Sequence, residues 1–330
     1  MDRIGVGLIG CGGMGKSLIT SAASLDVCRV VAVSDPAEEP AKALGQELGV
    51  PYHVQAEDLL ARSDVDAVIV AAPNYTHCAL TCQAAEAGKH VFVEKPMALS
   101  VADCTKMIET CRDAEVKLMV GQVLRYIHTF QAILDLIATG DYGDPFGIRT
   151  TRIGGGWGGR PATYWRMRRD QSGGPLYEIN QHEIDFMRCV CGDVASVSAA
   201  MGQFREFTID YEDLVFVTLN FSRGGKGCLM AGHAAVLGGY DGMILCTKGG
   251  FTFKGWGEVT RQIEGEEPVT FTPDPSQYEP AVTREVREFL EAVRDDTPPP
   301  IPGEEGRRNI AVAEAAHQAA AEEKTVPVAF

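Results

Sequence analysis

No run of about 18 consecutive apolar residues, the length a membrane-crossing helix needs, occurs in the 330-residue chain. A helical membrane protein is therefore outside the expected classes. A basic surplus is missing too, since 30 Lys and Arg stand against 45 Asp and Glu for a net charge of −15. Such a surface repels phosphate backbones and anionic lipid, so neither nucleic acid nor membrane is expected as a partner. Ten cysteines are present, but none forms the paired Cys-x-x-Cys spacing of a zinc site. Cys189 and Cys191 are two apart, and Cys78 and Cys82 lie one helical turn apart. The cysteines read as small buried hydrophobes in a reducing compartment. The first apolar run, from Ile4, leads into glycines without a basic segment before it. No signal peptide is read there, and the cytoplasm is the expected location.

What is present suits a soluble chain of about two domains. Hydrophobic residues make up 45% and charged residues 23%, ordinary values for a globular protein. Ile4–Ile9, Val27–Val33, Ala67–Ala71, His90–Val93 and Lys117–Val120 are short apolar runs, with helix-like stretches between them. Strand alternating with helix predicts a parallel sheet covered on both faces. Three stretches fit Gly-x-Gly-x-x-Gly: Gly5–Gly10, Gly10–Gly15 and Gly154–Gly159. With 36 glycines in the chain, chance matches are expected, so context must choose. Gly5–Gly10 lies within a strand, and Arg160-Pro161-Ala162 after the third match begins no suitable helix. Only Gly10, Gly12, Gly13, Met14 and Gly15 follow a strand and open a helix, where free N–H groups can meet a pyrophosphate. Asp35 ends the second strand 20 residues past Gly15, where a carboxylate accepts hydrogen bonds from ribose hydroxyls. Glu38 and Glu39 follow it and no arginine does, which favours NAD over NADP.

Two later features could carry chemistry. Glu94-Lys95-Pro96 sits at a strand's carboxyl end, where Lys95 could donate to a substrate oxygen; the alternative is an exposed loop lysine. After Gly173-Gly174, Pro175 reads as a helix start. On one continuous helix Glu178, His182 and Asp185 fall at i, i+4 and i+7 on a common face. A histidine so placed can act as a general base, against the alternative of a solvated polar face. A metal is not read here, because no further His or Cys has ligand spacing. Arg149, Arg152, Arg160, Arg166, Arg168 and Arg169 cluster within 21 residues. They could hold an anionic substrate group, or they could be ion pairs of the surface and subunit interface, the reading preferred here.

In order and spacing these residues resemble the Gfo/Idh/MocA family, named for glucose–fructose oxidoreductase and inositol dehydrogenase. The resemblance runs through Gly7–Gly15, Val33-Ser34-Asp35, Ala72-Pro73-Asn74 with His77, Ala87–Val91, Glu94-Lys95-Pro96, Gly121-Gln122 with Arg125, Gly140–Pro145, Tyr164-Trp165-Arg166 and His182–Asp185. It implies a Rossmann domain over residues 1–122. An α/β domain with a large open, mostly antiparallel sheet would follow over 123–330, closed by a helix near 304–323. That sheet would form the interface of a homodimer or homotetramer. The implied activity is hydride transfer between NAD and a ring hydroxyl of a sugar or cyclitol. His182 would be the general base and Lys95 would steady the same oxygen. The resemblance places Asn74, His77, Glu94, Gln122 and Trp165 near the nicotinamide and Arg125, Tyr164, Arg166 and Glu178 at the substrate. One departure is Glu178, which the resemblance also implies as a catalytic proton-relay residue, where the family pattern has aspartate. Two rival readings remain: a glycoside-cleaving enzyme that keeps its NAD, and a cofactor-sensing regulator.

Overall fold

The computed structural model describes residues 3–157, 160–205, 208–233 and 235–330. They form two compact units, one reaching to Gln122 and including Pro280–Arg307, the other comprising Val123–Glu279 and Arg308–Phe330. The first unit alternates β1 (Ile4–Ile9), α1 (Gly13–Ala23), β2 (Cys28–Ser34), α2 (Glu38–Leu48), β3 (Tyr52–His53) and α3 (Ala56–Leu60). It continues with β4 (Ala67–Val70), α4 (His77–Glu86), β5 (His90–Glu94), α5 (Val101–Asp113) and β6 (Leu118–Gly121). Every residue of β1 and β4 is buried, as a sheet covered on both faces requires. Among the described residues the sheet has six strands, in the order β3-β2-β1-β4-β5-β6, and all pairs are parallel. The direction of winding reverses between β1 and β4, so ligands are expected beyond the carboxyl ends of these strands.

The return of residues 280–307 to this unit differs from the sequence reading, which leaves them in the second domain. The helix Ala281–Arg294 carries a fully buried apolar stripe, Val286, Phe289 and Leu290, and packs on α1 and β5. Phe289 meets Phe92 of β5 edge to face at 5.8 Å.

The second unit opens with α6 (His128–Ala138) and β7 (Pro145–Ile153), then the short α7 (Arg169–Ser172) and α8 (Pro175–Glu178), and α9 (Gln181–Cys191). Eight further strands follow: β8 (Val194–Gly202), β9 (Leu214–Phe221), β10 (Lys226–Gly232), β11 (Gly239–Cys246), β12 (Gly249–Lys254), β13 (Glu258–Ile263), β14 (Val269–Phe271) and β15 (Val326–Pro327). Among the described residues they form one nine-stranded sheet, ordered β14-β13-β12-β11-β7-β10-β9-β8-β15. Only β7 and β10 pair in parallel, so the sheet is mostly antiparallel. On one face Phe130 of α6, Phe186 of α9 and Phe253 of β12 meet edge to face, with centroids 4.7, 5.3 and 6.0 Å apart. Burial alternates along β9 and β11, which leaves Phe216, Met243 and Leu245 exposed by 42, 40 and 43%. Cys228 of β10 is exposed as well.

Candidate active site

In the first unit the chain turns at Gly10, between β1 and α1. Gly10 has φ +102°, and a Cβ there would lie 2.4 Å from the Ala71 carbonyl oxygen. A Cβ on Gly15 would lie 1.9 Å from the Gly10 carbonyl oxygen, so both positions demand glycine. Gly12 and Gly13 instead face open space, with nothing within 4 Å of an added Cβ. The N–H groups of the first turn of α1 have no intrahelical acceptors and sit at the positive end of the helix dipole. Asp35 follows β2, with Oδ2 accepting from Cys11 N–H at 2.8 Å and Oδ1 from Ala37 N–H at 2.9 Å. Its carboxylate is thereby pinned against the glycine turn. Burial, then the charge of Asp35, pushes the Cys11 thiol up to about 12, so it stays protonated and is no nucleophile at neutral pH.

Ala72 and Pro73 follow β4, and buried Asn74 opens a single 3-10 turn. His77 is 1% exposed, with Nδ1 2.8 Å from the Pro96 carbonyl oxygen and Nε2 2.8 Å from that of Ala72. It braces the loop after β4 to the loop after β5, so both ring nitrogens face the backbone rather than a ligand. Glu94 ends β5, is buried, and accepts from the Lys95 N–H at 3.0 Å. Because Glu94 pairs with Gly121 of β6, half-buried Lys95 and Gln122 leave the sheet side by side. Gln122 is 1% exposed, and neither Oε1 nor Nε2 has a partner among the described residues. A buried, unmet amide costs about 1–3 kcal/mol per group, so this position suits a polar ligand. Open glycines beneath free N–H groups, a pinned carboxylate and an orphaned amide together fit a dinucleotide.

In the second unit the expected continuous helix is broken. α8 ends at Glu178, Ile179 and Asn180 intervene, and α9 begins at Gln181. The break falls between Glu178 and the helix that carries both His182 and Asp185. The two carboxylates are held by arginines. Glu178 accepts from Arg166 Nε at 2.6 Å. Fully buried Asp185 accepts from Arg125 Nε and Nη2, both at 2.7 Å, and from Asn309 Nδ2 at 2.8 Å. The fork of Arg125 thus anchors α9, the helix that carries His182. Arg188 extends this network to Asn309 Oδ1 at 2.6 Å and Asp193 Oδ1 at 2.7 Å. Glu183 is fully buried and accepts from Arg152 at 3.1 Å and Asn180 at 3.0 Å. Burial outweighs both and holds its carboxyl above the usual range. His182, 8% exposed, stands at the second position of this fixed helix.

Five of the six clustered arginines are paired with carboxylates: Arg149 with Asp241, Arg152 with Glu183, Arg166 with Glu178, Arg168 with Asp170 and Arg169 with Glu212. Arg160 lies 5.2 Å over the Tyr164 ring; residues 158 and 159, the end of the third glycine match, are outside the described residues. Ion pairing accounts for most of the cluster. Arg166 also donates to the Tyr164 hydroxyl at 2.6 Å and stacks 4.0 Å from the Trp165 centroid. Trp157, Tyr211 and His233, which the sequence reading did not single out, border this group. Trp157 lies under Arg166 at 5.2 Å, and both Trp157 and Tyr211 flank the His233 ring at 5.7 Å. No local pattern marks them, since they come from two loops and a strand end. Among the described residues no group of three or more His, Cys, Asp or Glu could hold a metal ion, and no helix is long and apolar enough to cross a membrane.

Residues 4–122 match the model of an oxidoreductase family with an NAD-binding Rossmann fold, and residues 130–252 match the GFO/IDH/MocA C-terminal domain. A 2,7-anhydro-N-acetylneuraminate hydratase from Mediterraneibacter gnavus is 33% identical over 76% of this chain and 67% of its own. A myo-inositol 2-dehydrogenase from Thermotoga maritima is 27% identical over 97% of both chains. The crystal structure of an aldose–aldose oxidoreductase from Caulobacter crescentus superposes with a TM-score of 0.90, at 25% identity, covering 99% of this chain and 100% of that one.

Proposed function

The chain belongs to the GFO/IDH/MocA family of NAD-binding oxidoreductases, and we propose that it moves a hydride between NAD and a ring carbinol of a sugar or cyclitol. The observation that carries this reading is Lys95, presented at the carboxyl end of β5 beside the orphaned amide of Gln122. When bound, NAD would supply the hydride acceptor. Gly12, Gly13 and the first turn of α1 would hold its pyrophosphate, and Asp35 its adenosine ribose. In this reading His182 takes the proton of the substrate hydroxyl. Lys95 donates to the same oxygen as negative charge builds on it. The buried anchoring of α9 by Arg125, Asp185 and Asn309 would keep His182 in place, which a general base needs.

NAD rather than NADP is favoured because a 2′-phosphate would meet the carboxylate of Asp35, with Glu38 and Glu39 just beyond it. A neutral substrate is favoured over an anionic one because Glu178 already balances Arg166. Assembly as a homodimer or homotetramer is supported by the exposed apolar residues Phe216, Cys228, Met243 and Leu245, which share one face of the second sheet with the Arg149–Asp241 pair. All ten cysteines are free, as a reducing compartment such as the cytoplasm allows. The hydratase relative favours one second reading, in which a bound NAD cycles through oxidation, elimination, hydration and reduction on a glycoside. Lys95→Ala is the test of the site. Turnover should fall at least about 100-fold while NAD still binds, and a near wild-type rate would overturn the assignment.

A further inference from the structure

His233 follows β10 and is 3% exposed, yet neither ring nitrogen has a hydrogen-bond partner among the described residues. Its backbone is fixed, the N–H donating to the Asp213 carbonyl oxygen at 2.9 Å. Its aromatic neighbours do not meet the ring's needs, because their polar atoms are engaged elsewhere. The Trp157 indole N–H donates to the Tyr211 hydroxyl at 3.2 Å, and that hydroxyl donates to the Arg166 carbonyl oxygen at 2.6 Å. The same aromatic group packs around Arg166, which is bound to Glu178. Buried polar groups are nearly always paired, so each exception calls for an explanation.

We propose that His233 is a substrate-binding residue, one ring nitrogen donating to and the other accepting from hydroxyl groups of a neutral polyhydroxylated ring. This rests on the hydride-transfer reading above and deepens it. A neutral imidazole offers one donor and one acceptor, and a hydroxyl can answer either. A carboxylate only accepts, so it would leave one nitrogen unmet. The charge balance of Arg166 and Glu178 points the same way, since no surplus positive charge remains on that pair to hold an acid.

The test compares wild type with His233→Phe and His233→Gln in the full-length protein. Steady-state kinetics would use whichever of myo-inositol, D-glucose and methyl glucoside the wild type oxidises best, with NAD affinity and thermal stability measured alongside. The expected result for His233→Phe is a KM raised about 10- to 100-fold, the scale of lost hydrogen bonds in a site built for hydroxyls. NAD affinity should be unchanged and the melting temperature equal or higher, because an unmet polar group has gone. His233→Gln, which keeps a donor and an acceptor, should recover most of the KM. An unchanged KM in His233→Phe, or equal losses in both variants, overturns the proposal. If the wild type itself oxidises no member of the set, the hydride-transfer reading fails and this inference with it.

Discussion

Replacing Asp35 with asparagine tests the nucleotide assignment through a single charge. Asp35 spends one oxygen on the Cys11 N–H and the other on the Ala37 N–H. Asparagine keeps one acceptor oxygen, so the glycine turn should survive, and Gly10 and Gly15 remain to shape it. What disappears is a charged acceptor for the ribose hydroxyls. Hydrogen bonds to charged groups contribute about 1.5–3 kcal/mol net, which corresponds to NAD binding weakened roughly 10- to 150-fold. NADP should bind no worse than before, because the repulsion of its 2′-phosphate is relieved. Calorimetric titration of wild type and Asp35→Asn with both nucleotides reads each arm directly. A dissociation constant for NAD that stays within about threefold of wild type would show that the Asp35 charge does not hold the ribose.

Asp185→Ala should leave the guanidinium of Arg125 without its buried partner and cost about 3–5 kcal/mol. Differential scanning calorimetry should show a melting temperature lower by roughly 4–7 °C for a chain of 330 residues, and a change under about 2 °C would deny the network its role. Burial holds His233 at about 4, with Glu178 and Asp213 opposing that shift. The unfolded chain therefore binds this proton first as pH falls from about 6.5, and stability drops between there and about 4, by up to roughly 3 kcal/mol from this group. His90 and His317, also held low by burial, act in the same direction. Urea unfolding at several pH values should show a shallower loss for His233→Phe than for wild type, and identical slopes would contradict the assignment. A double change of Met243 and Leu245 to glutamate on the exposed face of β11 should yield a monomer by light scattering, and an unaltered assembly would place the interface elsewhere.

Local patterns in the sequence carried the first unit well. Apolar runs bounded by glycine mark β1 and the turn into α1, because covered parallel strands leave no polar face. In the second sheet β7 was the harder strand to read. It reads Pro-Phe-Gly-Ile-Arg-Thr-Thr-Arg-Ile, and its two arginines interrupt the apolar pattern while pairing with Asp241 and Glu183. The spacing of Glu178, His182 and Asp185 was legible, but the break at Ile179–Asn180 was not, and that break decides which side chains share a face. The pairing of Asp185 with Arg125 and Asn309 spans 60 and 124 residues, beyond the reach of any local period. His233 carries no signature at all, since what distinguishes it is that its ring nitrogens find no hydrogen-bond partner among the described residues of the folded state.

Hydride transfer to NAD from a neutral ring hydroxyl can be followed as NADH absorbance when the purified protein meets NAD and a panel of sugars, cyclitols and glycosides. NADH should form one for one with a ketone product on a neutral polyol, and Lys95→Ala should abolish it. Cleavage of a glycoside with no net NADH, unaffected by added NAD, would contradict net hydride transfer.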